Sequence, residues 1–169
     1  MAGFFPVMMF GLPAAALAMY HAAPKGRRAQ VGGLLLSLAL TAFLTGVTEP
    51  IEFTFMFLAP LLYLMHALLT GISMALMHWL DVKLGFTFSA GAFDFALSYG
   101  LSNNGWMLLP VGLAYFGIYY GAFRWAIARF HLTTPGREPE TTAPAAGDAS
   151  ASSERGPAFV TALGGAANL

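Results

Sequence analysis

The sequence contains no cysteine, which excludes a disulfide framework, thiolate metal ligation and a cysteine nucleophile within these 169 residues. Charge is also scarce: 9% of the residues are charged, against roughly a quarter in an ordinary soluble domain. Eight Lys and Arg balance eight Asp and Glu. The basic excess that holds nucleic-acid phosphates is therefore missing, and no nucleic acid is expected as a partner. No phosphate-cradling glycine motif, metal-ligand cluster or Ser/His/Asp arrangement stands out, so neither a metal nor a cofactor is expected. The N-terminal run lacks the basic region, short apolar core and small-residue cleavage site of a secretory signal. What is present is apolar surface. Hydrophobic residues make up 57% of the chain and the mean hydropathy is +0.66, so most of this chain has lipid as its solvent.

A bilayer core takes about 20 apolar residues per helix. Four stretches meet or approach that length: residues 4–23, 30–47, 53–79 and 106–130. The first contains Pro6 and Pro13, and each proline removes a backbone donor and disfavours helical geometry just before it, so a broken or re-entrant helix is expected there. Behind it lies Pro24-Lys-Gly-Arg-Arg28, the densest basic cluster in the chain, which belongs on the cytoplasmic side. The second stretch reads as an uncharged helix ending at residues 46–50, and the third as one longer helix containing Pro60 and Gly71. Residues 81–105 mix glycine, aromatics and one acid, Asp94, and are expected to form a short hairpin or half-helix. The last span is bracketed by Trp106 and by Arg124, Trp125 and Arg129, which puts its C-terminal end inside the cell. The expected fold is an all-α integral membrane bundle over residues 1–131, with broken or re-entrant segments. Residues 132–157, with Pro135, Pro139 and Pro144 among small and polar residues, read as a disordered cytoplasmic linker. Residues 158–169 regain apolar periodicity and read as the truncated start of a further domain.

An ionisable side chain at membrane depth is costly unless it is paired or lines a wet cavity, so each is a functional candidate. Four acids precede the linker. Glu49 and Glu52 flank Pro50 where two apolar spans meet, and a helix broken across Gly46, Thr48 and Pro50 offers free backbone groups beside two carboxylates, which suits a polyhydroxylated ligand. The competing reading makes the pair a solvent loop. His66 lies inside the long apolar helix with Tyr63 and Thr70 on its face, positioned to bond a sugar hydroxyl, to pair with Glu49 or Glu52, or to be satisfied internally. His21 and His78 read as interfacial. Asp94 either caps a half-helix or touches ligand.

The stretch Gly46-Val-Thr-Glu-Pro-Ile-Glu-Phe53 resembles the signature of the membrane (IIC) domain in the glucose superfamily of the phosphoenolpyruvate-dependent phosphotransferase system. The resemblance extends through Met8-Met-Phe-Gly-Leu-Pro-Ala-Ala-Ala-Leu-Ala-Met19, Leu61-Leu-Tyr-Leu-Met-His-Ala-Leu-Leu-Thr-Gly71 and Phe86-Thr-Phe-Ser-Ala-Gly-Ala-Phe-Asp94, and covers essentially residues 1–137. The stretches Phe88-Ser-Ala-Gly-Ala-Phe-Asp-Phe95 and Leu132-Thr-Thr-Pro-Gly-Arg-Glu138 resemble the N-acetylglucosamine-specific permeases more than the glucose or maltose ones. This resemblance implies a homodimeric, multi-pass permease of the bacterial inner membrane with a cytoplasmic C-terminus. It implies inward sugar transport coupled to 6-phosphorylation by a phosphocysteine on a IIB domain, which upstream phosphocarrier proteins recharge. Glu49 is by the same resemblance the foremost sugar contact, with Gly46, Thr48, Pro50, Glu52, His66 and Asp94 as further candidates. Ala162-Leu-Gly-Gly165 resembles the start of the IIB domain, ahead of its phosphorylated cysteine, so the full permease would be a sugar phosphotransferase while this chain carries no phosphorylatable thiol. Family members carry further spans ahead of the matching region, and the chain is expected to be a C-terminal piece of such a permease. The alternatives are a glucose or maltose permease of the same superfamily, a passive sugar transporter or channel, and an inactive product of a split gene.

Overall fold

Proline and glycine decide where the helices of this protein start and stop. In the computed structural model, which describes residues 2–138, Pro50 is the second residue of α3 (Glu49–Met56) and Pro60 the first of α4 (Pro60–Trp79). A missing N–H costs nothing at those positions, because it has no intrahelical acceptor there. The other elements are α1 (Leu12–Ala22), α2 (Arg28–Thr45), α5 (Ala92–Ser98) and α6 (Leu108–Phe130). Among the described residues the sole β contact is one bridge between Lys83 and Asn103. The architecture is all-α.

Two expectations about helix continuity are corrected. Residues 53–79 are not one helix: the chain leaves helical geometry at Ala59, with φ −146° and ψ 73°, because the ring of Pro60 crowds the residue before it. Conversely, residues 4–22 are not broken. They run as one helix whose Pro6–Gly11 portion is a π-turn, in which Leu12 N–H bonds to Val7 C=O. The π-turn carries the helix from Pro6 past Pro13 without a break.

α1 is the centre of the bundle. Leu12, Ala14, Ala15, Ala18 and Met19 are fully buried, and the alanines let α2 and α6 approach closely, as small residues do between helices in lipid. α1 and α2 meet at the basic loop, where the Arg28 guanidinium donates to His21 C=O at 2.8 Å and to Ala23 C=O at 3.0 Å. α6 ends at the same place. After it, Arg137 donates to Ala22 C=O at 3.1 Å and Arg27 to Glu138 C=O at 2.9 Å, and Thr134 is fully buried. Residues 132–138, expected as linker, are thus packed onto the helical body. Residues 139–157 and 158–169, expected as the rest of the linker and a further domain, lie outside the described residues.

α4 runs antiparallel to α6. Tyr115 OH donates to Leu69 C=O at 3.3 Å, and Ser73 Oγ donates to Gly3 C=O at 2.7 Å, which puts the end of α4 far from the basic loop. Among the described residues three helices are long and apolar enough to cross a bilayer, Arg28–Thr45, Pro60–Trp79 and Gly105–Phe130. Leu36, Leu68, Ile72 and Leu113 stand exposed on them, as lipid-facing side chains do. Between the first two spans the chain doubles back as α3. Residues 81–105 leave α4 and return to α6, joined at their base by the Lys83–Asn103 bridge.

Candidate functional site

The α2–α3 elbow is built by one left-handed residue. Gly46 has φ +72° and its N–H bonds to Ala42 C=O, the left-handed cap that ends α2. The chain then needs only Val47 and Thr48 before α3 starts at Glu49. A second segment braces this turn. Ser89 Oγ donates to Gly46 C=O at 2.8 Å, and Gly91 lies so close that a Cβ there would stand 2.5 Å from the Gly46 nitrogen. Asp94 holds the bracing segment in shape: its carboxylate accepts from the amides of Thr87 at 2.6 Å, Ser89 at 3.2 Å and Phe88 at 3.4 Å. Those bonds, Thr87 first, keep the Asp94 carboxyl below the usual carboxylate range.

The two acids of the elbow face different surroundings. Glu49 is exposed at the head of α3, and one of its oxygens accepts from Thr48 N–H at 3.1 Å. Glu52, one turn on, is turned inward, with Oε1 3.4 Å from Nε2 of the buried His66. Tyr119 OH lies 3.1 Å from His66 Nδ1 on the other side of the ring. Thr70 Oγ1 donates to the His66 carbonyl, not to its ring. The structure therefore gathers Gly46, Thr48, Glu49 and Pro50 at the elbow, sets Glu52 and His66 against each other behind it, and places Asp94 behind the bracing segment. Among the described residues no three His, Asp or Glu side chains converge as metal ligands would.

Two hollows lie elsewhere. One of about 500 Å³ is lined by Gly3, Met74, His78 and Lys83, and one of about 570 Å³ by Tyr20, Gly32, Leu36 and Phe116. Neither includes an acid of the elbow, and the second is apolar throughout its lining apart from one tyrosine hydroxyl. Chemistry outweighs volume here: the elbow offers an exposed carboxylate, Glu49, at a helix break between two apolar helices.

Comparison with known proteins decides the family. The family described as Phosphotransferase system, EIIC matches residues 1–71. The N-acetylglucosamine-specific EIICBA component of Escherichia coli (strain K12) is 56% identical over 177 residues, covering all of this chain and 27% of that protein. The N-acetylglucosamine-specific EIIC component of Streptomyces coelicolor is 60% identical over 139 residues, 82% of this chain and 33% of that protein. The glucose-specific EIICBA component of Staphylococcus carnosus is 50% identical over 171 residues, all of this chain and 25% of that protein. This chain belongs to the phosphotransferase system EIIC family. It spans about a quarter to a third of the length of these relatives. As an EIIC chain with three helices, among its described residues, long and apolar enough to cross a bilayer, it is a multi-pass membrane protein.

Tyr119, behind this EIIC elbow, does not stand out from sequence, whereas Ser89 and Gly91 belong to the small-residue stretch around Asp94 that allows close backbone approach. Tyr119 had a detectable signal, since Tyr115, Tyr119 and Phe123 recur every four residues along α6 and are all buried. That stripe also reads as ordinary core, and only the His66 contact separates the two meanings. Ser89 and Gly91 carried no pattern that points to residues more than forty positions earlier.

Proposed function

We propose that this chain supplies the part of a phosphotransferase-system permease that binds N-acetylglucosamine at the α2–α3 elbow and carries it inward, coupled to 6-phosphorylation by a phosphocysteine of a IIB domain. The observation that carries this reading is the position of Glu49. Its carboxylate is exposed beside a left-handed break between two spans, on a turn braced by Ser89 and Gly91. A charged acceptor forms stronger hydrogen bonds to sugar hydroxyls than a neutral one. Fixed in place, it orients the acceptor hydroxyl, which is most of what phosphoryl transfer asks of a protein.

The names of the Escherichia coli and Streptomyces relatives support the sugar assignment, and the glucose-specific relative makes glucose the second reading. IIB and upstream phosphocarrier proteins are the expected partners, and the working unit is a homodimer in the bacterial inner membrane. The C-terminal side is cytoplasmic, because the α6 exit packs on the basic loop.

The test is Glu49→Gln in a reconstituted full-length permease carrying this segment. N-acetylglucosamine phosphorylation falls by about tenfold or more, the factor that 1.4 kcal/mol represents, while expression stays normal and His78→Ala has a smaller effect. Unchanged binding and phosphorylation would remove Glu49 from the site. Stronger competition by glucose than by N-acetylglucosamine would favour the second reading.

A further inference from the structure

Three polar side chains from three helices line up behind the elbow. Glu52 of α3 meets His66 of α4 at 3.4 Å, and His66 meets Tyr119 of α6 at 3.1 Å. They sit among aromatic rings: Phe55 lies edge-on to His66 at 6.0 Å and to Phe123 at 5.4 Å, and Tyr119 stacks on Phe123 at 5.7 Å. His66 is 8% exposed and Tyr119 is wholly buried. His66 and Tyr119 in such a place must be satisfied by protein partners, while Glu52, its side chain 20% exposed, joins them from the half-buried edge. One arrangement of protons does so with a neutral imidazole: Nε2–H donates to the Glu52 carboxylate and Tyr119 O–H donates to Nδ1.

We infer that Glu52, His66 and Tyr119 form a latch that sets the orientation of α3, making Glu52 a positioning residue and leaving Glu49 as the acid that meets sugar. The inference rests on the reading that Glu49 holds the sugar. α3 has eight residues, too few to be stable by its own hydrogen bonds, so its neighbours decide how it sits. Ile51 and Phe55 bury fully and fix how deep it lies. Their close packing sets which face of α3 is buried, but apolar contacts lack the directionality of a hydrogen bond. The Glu52–His66 contact supplies direction, and because Glu49 lies on the same short helix, the turn that engages Glu52 sets the aim of Glu49. The far end of the latch is fixed in turn by the π-turn. A Cβ on Gly11 would stand 2.8 Å from the Tyr119 ring, so a residue without a side chain lets that ring reach His66.

The test uses the full-length permease carrying this segment, with two independent measurements on Glu52→Gln, Glu52→Leu, His66→Ala and Tyr119→Phe. The first is N-acetylglucosamine affinity, together with a panel of deoxy sugars. Tyr119→Phe is expected to weaken binding roughly two- to tenfold, the effect of one lost hydrogen bond, and equally for every sugar in the panel. Glu52→Gln keeps an acceptor oxygen for Nε2–H and falls between wild type and Glu52→Leu, and Glu52→Leu/His66→Ala is no weaker than either single change. The second measurement needs no sugar. Because this chain lacks cysteine, Glu49→Cys, with cysteines elsewhere in the permease replaced, gives one thiol on α3. Its maleimide labelling rate is expected to change severalfold in the latch variants and not with Leu113→Ala on the lipid face.

Selective loss of discrimination at one hydroxyl in Glu52→Gln would make Glu52 a sugar ligand and overturn the latch. So would labelling of Glu49→Cys that is indifferent to all four variants. If the labelling rate shifts but wild type binds no N-acetylglucosamine, the latch stands and the sugar reading fails.

Discussion

Glu49 and Glu52 are one helical turn apart, carry the same charge and flank the same proline, yet one is exposed and the other faces a buried imidazole. Their chemistry as candidates was legible from sequence, because acids between two apolar spans are rare and costly. Their division of labour was not, since it depends on His66 and Tyr119, which lie 14 and 67 residues after Glu52 on two other helices. Asp94 shows the same limit. Its position among small residues marked it as a candidate, but its partners are three backbone amides of residues 87–89, and no side-chain pattern announces those. Since the folded loop lowers the Asp94 pKa, the bonds are at full strength above the unfolded carboxylate value of about 3.9 and fade as pH falls through the lower folded value. Hydrogen exchange at the Thr87 and Ser89 amides should therefore be slow at neutral pH in wild type. In Asp94→Asn, where the charge is gone, those amides should exchange faster at pH 7, and their protection should not depend on carboxylate protonation. Equal protection in the two proteins would show that the loop holds its shape without Asp94.

At the scale of elements, the break between α2 and α3 was readable from Gly46 and Pro50 because both residues act locally. The break before α4 is hard to read for the opposite reason: residues 53–79 form one apolar run, whose hydropathy masks the local effect of Pro60. The continuity of the helix over Pro6–Ala22 is illegible in the other direction, since a π-turn leaves no composition signal and relocates the penalty expected from two prolines. The docking of the 86–91 segment on the elbow is the feature that sequence spacing carries least, because it joins two glycines 45 residues apart. Gly91→Ala tests it. The added Cβ would meet the Gly46 nitrogen and the Thr45 carbonyl carbon at 2.5 Å and the Leu44 oxygen at 2.6 Å. All three are backbone atoms that no rotamer change can clear, so a cost of about 1–3 kcal/mol is expected, as for overpacking elsewhere. It should appear as a lower unfolding midpoint and weaker sugar binding. Gly100→Ala, with open space around it, should change neither, and an equal effect of the two substitutions would dismiss the docking.

At the scale of the whole molecule, the contacts say which ends lie together, and the proposed orientation rests on them and on the basic cluster. α6 runs away from the Lys83–Asn103 bridge and finishes where Arg137 meets Ala22 and Arg27 meets Glu138. With 23 residues at about 1.5 Å each, it is long enough to separate those two ends by a full hydrocarbon core. The proposed orientation then has Lys25 and Glu138 on one side and Lys83 on the other, with Lys25 in the cytoplasm by the bias of short basic loops. Single cysteines at Lys25, Glu138 and Lys83, introduced into the full-length permease with its other cysteines replaced, can be probed with a membrane-impermeant maleimide. Lys25→Cys and Glu138→Cys should label in inside-out vesicles and be protected in right-side-out ones, and Lys83→Cys should do the reverse. Lys25→Cys and Glu138→Cys on opposite sides would contradict the packing of residues 132–138 on the basic loop. All three on one side would mean that α6 does not cross, and reversal of all three would keep the fold while inverting its orientation.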